Sequence, residues 1–260
     1  MRKAIIIPSH RAEATLPDVL AALPQELLAG EDMVVLVNDA SPDATGKVAD
    51  RLAGSNDRVF ALHHAHNRGY GGALKTGMRF GLEQGAELFA VVHADGQYAP
   101  QMVLRLCEPI EHGITEIVQG SRMKAGGARL GAHPMPLSRY VPNRMLTLLE
   151  NLVVGTNLAE FHSGYMVYSK KLLERVPFEA IGENYNFDAE MIILAHMIGI
   201  RTVEIPIPTR YDDATSSLAP IPYGLNVLRM MWRVMTGHYR ELLDRHGLEG
   251  RDSGGRVSQW

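Results

Sequence analysis

Five short apolar runs punctuate the first half of the chain: Lys3–Pro8, Met33–Asn38, Val59–His63, Leu88–His93 and Glu116–Gly120. Each is rich in strand-forming residues and closes on polar or turn-forming ones, the pattern of buried strands. Between them, apolar positions recur at helical spacing over about Thr45–Leu52, Gly72–Gln84 and Pro100–Glu111. An earlier helix is predicted to start near Thr15, where Thr15 and Asp18 have the spacing of a capping box and Pro17 falls in the first turn. Strands alternating with helices predict an α/β, Rossmann-like, mostly parallel sheet flanked by helices.

The pattern changes after the fifth run. Met123 to Pro136 carries Gly126, Gly127, Gly131, Pro134 and Pro136 with little periodicity, which predicts a long loop of the kind that often carries function. Beyond it the spacing predicts a helix near Arg139–Val153, a strand near Gly164–Tyr168, a helix around Phe187–Met197 and a strand at Arg201–Ile205. A last amphipathic helix is expected over Tyr223–Arg245. It sets Arg229, Arg233, Thr236, Arg240 and Asp244 on one face, with Leu225, Leu228, Met231, Trp232, Met235 and Leu242 elsewhere. Such a helix suits packing on the sheet, a homodimer contact or a membrane interface. The polar, Gly-rich tail 250–260 is expected to be disordered. The expected organisation is therefore a main domain over 1–222 (halves 1–120 and 121–222), a helix over 223–249 and the tail.

Bulk properties narrow the possibilities. The 260-residue chain has a formal net charge of −3, so nothing draws it globally to nucleic acid, and none is expected as a partner. Its one cysteine, Cys107, excludes an internal disulfide and falls in the apolar pattern Val103-Leu104-Leu106-Cys107-Ile110, which predicts packing rather than catalysis. The opening Ala4-Ile5-Ile6-Ile7-Pro8 is too short for a signal peptide, and no later run reaches membrane-spanning length. The expectation is a cytoplasmic protein, with peripheral contact to the inner membrane face.

Candidate chemistry gathers where the first four strands end. They deliver Pro8-Ser9-His10-Arg11, Asn38-Asp39-Ala40-Ser41, His66-Asn67-Arg68-Gly69, and His93-Ala94-Asp95-Gly96-Gln97. Any one could be a turn, and Asp-Gly is a common turn dipeptide. Four together at the carboxyl edge of a parallel sheet read as a nucleotide site. There Asp39 suits the N–H groups of a base, His10 offers a flat face, and Asn67 and Arg68 reach for ribose or phosphate. Asp95 suits a divalent ion carrying phosphate oxygens, with Gln97 as a further oxygen ligand. Gly69-Tyr70-Gly71-Gly72-Ala73-Leu74 lacks the last glycine of a dinucleotide fingerprint and follows the wrong strand, and no P-loop motif occurs.

In order along the chain, these segments resemble the motifs of glycosyltransferase family 2. Ile6-Ile7-Pro8-Ser9-His10-Arg11-Ala12-Glu13 is similar to "IPxYNEE", and Asn38-Asp39-Ala40-Ser41-Pro42-Asp43-Ala44-Thr45 to "DDxSxDxT". Asn67 to Gly77 resembles "NxGxGxAxxxG", Ala94 to Pro100 "DADGQxxP", and Gly120-Ser121-Arg122 "GSR". Ser163-Gly164-Tyr165 and Asn186-Phe187-Asp188-Ala189-Glu190 extend the series.

Within the family the likeness is to polyprenyl-phosphate sugar synthases. It implies the GT-A fold of nucleotide-diphospho-sugar transferases, a UDP- or GDP-sugar donor, Mg2+ or Mn2+, and inverting transfer to a lipid-phosphate or hydroxyl acceptor. By position, the resemblance puts Pro8, His10, Glu13, Asp39, Asn67, Lys75 and Ala94 at the donor and Asp95 and Gln97 at the metal and diphosphate. It puts Arg122, with Arg129 or Arg139, at an anionic acceptor. For a hydroxyl acceptor, Asp188 is the candidate base and Glu190 the second. Two positions depart from the family: its tyrosine is His10 here, and the first aspartate of its D-x-D is His93, a poorer ligand for a hard cation. That substitution keeps a degenerate sugar-nucleotide-binding module open as an alternative. The arginine-rich first loop of sugar nucleotidyltransferases and the Q-x-x-R-W of processive synthases are both missing.

Overall fold

The computed structural model describes residues 1–124, 135–208 and 220–248. Seven strands form one sheet: β1 (Lys3–Ser9), β2 (Met33–Asn38), β3 (Val59–His63), β4 (Leu88–Val91), β5 (Ile117–Ser121), β6 (Met166–Ser169) and β7 (Val203–Pro206). Their order is β3-β2-β1-β4-β6-β5-β7. The first four are parallel, in a register that sets Ser9 beside Asn38, Asn38 beside His63 and Ile6 beside Val91. Strand β6 runs antiparallel to both β4 and β5, while β7 returns parallel to β5. The mostly parallel sheet expected from sequence is thus present, and it continues across residue 120 without interruption.

Alternation along the strands divides the core into two layers. Ala4, Ile6, Val35, Val37, Phe89 and Val91 face one side, against α4 (Gly69–Glu83) and α8 (Phe187–Met197). Ile5, Ile7, Val34, Leu36, Leu88 and Ala90 face the other, against α1 (Leu16–Ala21), α2 (Gln25–Ala29), α3 (Thr45–Gly54) and α5 (Val103–Glu111). Cys107 is fully buried in the second layer, as its pattern predicts, and burial pushes its thiol pKa up. The remaining helices are α6 (Leu137–Val154), α7 (Lys170–Arg175), α9 (Pro220–Met235) and α10 (His238–Arg245).

Three local expectations are corrected. Thr15 has helical backbone angles and makes no side-chain cap, so the predicted capping box does not form. Pro100–Met102 is a 3-10 turn leading into α5 rather than its first α-turn. The single last helix is two, because Gly237 sits at φ 78°, a left-handed conformation that stops α9 before α10 begins. Most of the Met123–Pro136 loop and the 250–260 tail lie outside the described residues.

Helix α6 is inverted. Thr147 and Glu150 point inward and are buried, whereas Leu137, Val141, Met145, Leu148 and Leu152 share an exposed face. On α9, Val227, Met230 and Met231 enter the core, yet Leu225, Leu228, Trp232 and Met235 remain exposed. Only part of the apolar set on α9 packs on the protein.

Candidate active site

Because β1 to β4 are parallel, their carboxyl ends open on one edge, and the four polar turns meet there. Two non-glycine residues in these turns adopt left-handed backbone, Arg11 (φ 54°) and Ala40 (φ 49°). Such a conformation costs about 1–2 kcal/mol per residue, and strain of this kind collects at functional sites. The β1 and β2 loops are tied together: Arg11 N donates to Ser41 Oγ at 2.7 Å, and Ala44 N donates to Glu13 Oε2 at 2.7 Å. Glu13 therefore braces the loop pair. His10 is exposed beside it, and Pro8 and Ala94 lie at the ends of β1 and just past β4.

Asp39 has a structural role at this edge. Its carboxylate is 4 % exposed and accepts Arg68 N at 2.8 Å, Gly69 N at 2.8 Å and a 2.6 Å contact from His64 Nδ1. It therefore caps the start of α4, where a carboxylate also meets the positive end of the helix dipole. Asn67 supports the same turn, donating to Asp39 O at 3.3 Å and accepting Gly69 N at 3.1 Å. Lys75 departs from expectation: it is 2 % exposed, and its ammonium donates to the carbonyls of Glu179 (3.0 Å) and Ile181 (2.6 Å). It anchors the segment before α8 rather than reaching toward a nucleotide. Gly71 serves the same packing, since a Cβ there would lie 2.9 Å from the Glu183 backbone carbon.

Asp95 is exposed at the end of β4, and its Oδ1 accepts Gln97 N at 3.0 Å across a turn closed by Gly96 at φ 69°. Gln97 also lines a groove with Asp18 and Gln101. His93 turns the other way. Its Nε2 lies 3.3 Å from the Tyr70 hydroxyl and packs against Gly164, where any side chain would collide with it. Burial lowers the His93 pKa, so the ring stays neutral. Among the described residues no group of three or more His, Cys, Asp or Glu could hold a metal alone. The oxygens of Asp95 and Gln97 fit a hard divalent cation whose other ligands come from substrate phosphates and water, as Mg2+ prefers. His93 directs its Nε2 toward Tyr70 and Gly164 instead.

Arg122 follows β5. Its guanidinium pairs with Glu160, which is 0 % exposed, and donates to the His162 carbonyl at 2.7 Å. The Arg122 backbone N–H also donates to Glu160 Oε2 at 2.9 Å. Arg139 is exposed in the first turn of α6, and Arg129 lies outside the described residues.

Asp188 and Glu190, the candidate bases, are both buried at the start of α8. Tyr70 donates to Asp188 Oδ2 at 2.7 Å and Tyr168 to Oδ1 at 2.6 Å. Burial raises the Asp188 pKa to about 7, against the pull of these two phenols. Glu190 accepts Tyr239 Oη and Gly182 N, both at 2.7 Å, with Arg233 at 3.6 Å. Both carboxylates tie elements together, a role the sequence did not distinguish from catalysis.

The raised Asp188 pKa makes a stability prediction. A carboxyl whose folded pKa exceeds its unfolded value near 4 contributes stability that is full below that value and lost as pH rises toward 7. Asn at this position does not titrate. The melting midpoint of the native protein should therefore fall by about 5–10 °C relative to Asp188→Asn between pH 4.5 and pH 7.5, by roughly 3 °C per kcal/mol. Equal pH dependence in calorimetry would contradict the shift.

A mostly parallel sheet whose carboxyl edge gathers an exposed Asp-Gly-Gln turn, strained loops and a buried Arg–Glu pair is the edge at which open α/β sheets bind ligands. The family profile of Glycosyl transferase family 2 matches residues 4–176, and the chain belongs to that family: it is a glycosyltransferase. It is 34 % identical over 208 residues to the undecaprenyl-phosphate mannosyltransferase of Micrococcus luteus, covering 80 % of this chain and 83 % of that one. It is 29 % identical over 251 residues to the polyprenol monophosphomannose synthase of Mycolicibacterium smegmatis, covering 94 % and 89 %. The fold is GT-A, shared with glucosyl-3-phosphoglycerate synthase from Mycobacterium tuberculosis in complex with Mn2+, UDP and glucosyl-3-phosphoglycerate. That match has a TM-score of 0.63 at 15 % identity and covers 92 % of this chain and 80 % of that one.

Proposed function

We propose that the enzyme transfers a sugar from a nucleoside-diphosphate sugar to a polyprenyl phosphate at a membrane surface, inverting the anomeric centre. One observation carries the choice of acceptor. Asp188 already accepts hydrogen bonds from two phenols, and Glu190 from Tyr239 and Gly182 N, which supports a positioning role for both carboxylates. A hydroxyl acceptor needs a base to remove its proton. A phosphate monoester is already anionic and needs none. The relatives from Micrococcus luteus and Mycolicibacterium smegmatis, named for undecaprenyl phosphate and polyprenol, agree with this reading.

In the reaction a phosphate oxygen of the acceptor attacks C1 of the sugar, and the bond from C1 to the nucleoside diphosphate breaks. The β1 and β2 loops around His10, Glu13 and Ser41 form the cradle for the nucleoside. Asp95, with Gln97, would hold a divalent cation, Mg2+ or Mn2+, which supplies neutralisation of the departing diphosphate. Arg122, held by Glu160 and the His162 carbonyl, would offer guanidinium N–H donors to the phosphate on the acceptor side.

The exposed apolar faces of α6 and α9 support the membrane setting. No described helix is long and apolar enough to cross a membrane. Among the described side chains these two helices carry one acidic residue, the buried Glu150, and Arg139 and Arg229 are exposed beside the apolar residues. An apolar face edged by arginines suits the headgroup boundary of an anionic leaflet.

The test is a two-phase assay with labelled UDP- and GDP-sugars, polyprenyl phosphate in anionic vesicles, and Mg2+ or Mn2+. Label should enter the organic phase as a product labile to mild acid, as expected of a glycosyl phosphate, and the protein should float with the vesicles. Transfer to soluble hydroxyl acceptors alone, without flotation, would overturn the proposal.

A further inference from the structure

A second polar chain runs behind the acceptor side and takes no part in the account above. It starts at Glu150 on the inward face of α6, a carboxylate that is 0 % exposed. Its Oε2 lies 3.0 Å from His162 Nε2, and among the described residues no hydrogen-bond donor or other cation reaches it. His162 Nδ1 lies 2.6 Å from the hydroxyl of Tyr223 on α9. Tyr223 lines a small cleft of about 60 Å³ with His93, Tyr98, Ser163, Gly164 and Asp188. The backbone of His162 meanwhile accepts the Arg122 guanidinium. One residue therefore holds the guanidinium through its carbonyl and the phenol through its ring.

The direction of the hydrogen bonds follows from charge balance. A buried carboxylate facing one imidazole is costly unless the pair is neutral overall. In the neutral arrangement in which the 3.0 Å contact between Glu150 and Nε2 holds a proton, on whichever atom, the second proton sits on Nδ1. Nδ1–H then donates to the Tyr223 oxygen. The hydroxyl proton of Tyr223 cannot point back at His162 and is left to donate into the cleft. A donor held this way suits an anionic oxygen. Asp188, the carboxylate lining the same cleft, accepts from Tyr70 and Tyr168.

We infer that Tyr223 donates a hydrogen bond to the phosphate of the acceptor, and that the Glu150–His162 pair is the positioning device that aims it. This rests on the phosphate-acceptor reading above. It adds a binding residue from α9, the helix whose outer face lies exposed with that of α6, so the acceptor head would be gripped beside the surface that meets the lipid.

Steady-state kinetics with polyprenyl phosphate test it, using Tyr223→Phe, Glu150→Gln and the double variant, each checked by melting midpoint. Tyr223→Phe removes one hydroxyl and should raise the acceptor KM about tenfold, the worth of a hydrogen bond to a charged group, with the donor KM unchanged. Glu150→Gln lets the ring take either tautomer and should raise the acceptor KM by several-fold in the native background but not in the Tyr223→Phe background. A Tyr223→Phe enzyme with unchanged acceptor KM, or with both KM values changed alike, would overturn the inference, as would additive effects of the two substitutions. If Glu150→Gln fails to fold, Tyr223→Phe alone decides. Failure of the native enzyme to use polyprenyl phosphate at all would instead count against the acceptor reading.

Discussion

Asp95→Asn should lower sugar transfer by at least about 100-fold, the scale of losing a key electrostatic group in an active site, while the melting midpoint stays within about 2 °C. The side chain is exposed, and among the described residues its one hydrogen bond is accepted by Oδ1 from Gln97 N. Asparagine keeps that acceptor, so the substitution removes the negative charge and little else. Activity assays over a range of Mg2+ and Mn2+ concentrations, beside calorimetry, check both halves. Because His93 is turned toward Tyr70 and held neutral by burial, His93→Asn should not mimic the effect on metal dependence. Undiminished transfer by Asp95→Asn would remove Asp95 from the reaction.

Arg122→Ala carries the largest expected loss of stability, about 3–5 kcal/mol, because it strands a charge on fully buried Glu160. It also removes the donor to the His162 carbonyl. Adding Glu160→Gln should recover much of that stability, since the stranded charge is gone, without restoring transfer. Urea denaturation gives the stability and the two-phase assay gives the activity. Recovery of both together would mean that Arg122 serves the fold alone.

The strands and the edge on which they open are legible in the sequence, because continuous Val/Ile/Leu runs and polar strand-end turns are local signals. β1 to β4 fall within a residue or two of their expected limits. The antiparallel insertion of β6 between β4 and β5 is a long-range pairing, and no local pattern announces it. The roles of buried polar residues are hidden for the same reason. Asp39 caps a helix whose start lies 30 residues further along, at Gly69, and Lys75 is satisfied by carbonyls about a hundred positions away. Asp188 occupies a position where a base is plausible, yet the phenols that claim it come from α4 and β6. The Glu150–His162–Tyr223 chain had one available clue. Thr147 and Glu150 sit among apolar residues on a helix whose best apolar stripe, Leu137, Val141, Met145, Leu148 and Leu152, lies on the opposite side. Read as an ordinary surface helix, that stripe would be assigned to the core.

The most direct measurement of the central claim is a comparison of polyprenyl phosphate with the matching polyprenol, in the same vesicles and with the same labelled sugar nucleotide. The two acceptors share the lipid chain and differ in the phosphate, which supplies an attacking oxygen that already lacks its proton and the anion that Arg122 and Tyr223 would bind. An enzyme with no available base should glycosylate the phosphate and leave the alcohol untouched, and Asp188→Asn should retain transfer to the phosphate within about tenfold, well short of the loss expected on removing a general base. Efficient transfer to the alcohol, abolished by Asp188→Asn, would contradict the account.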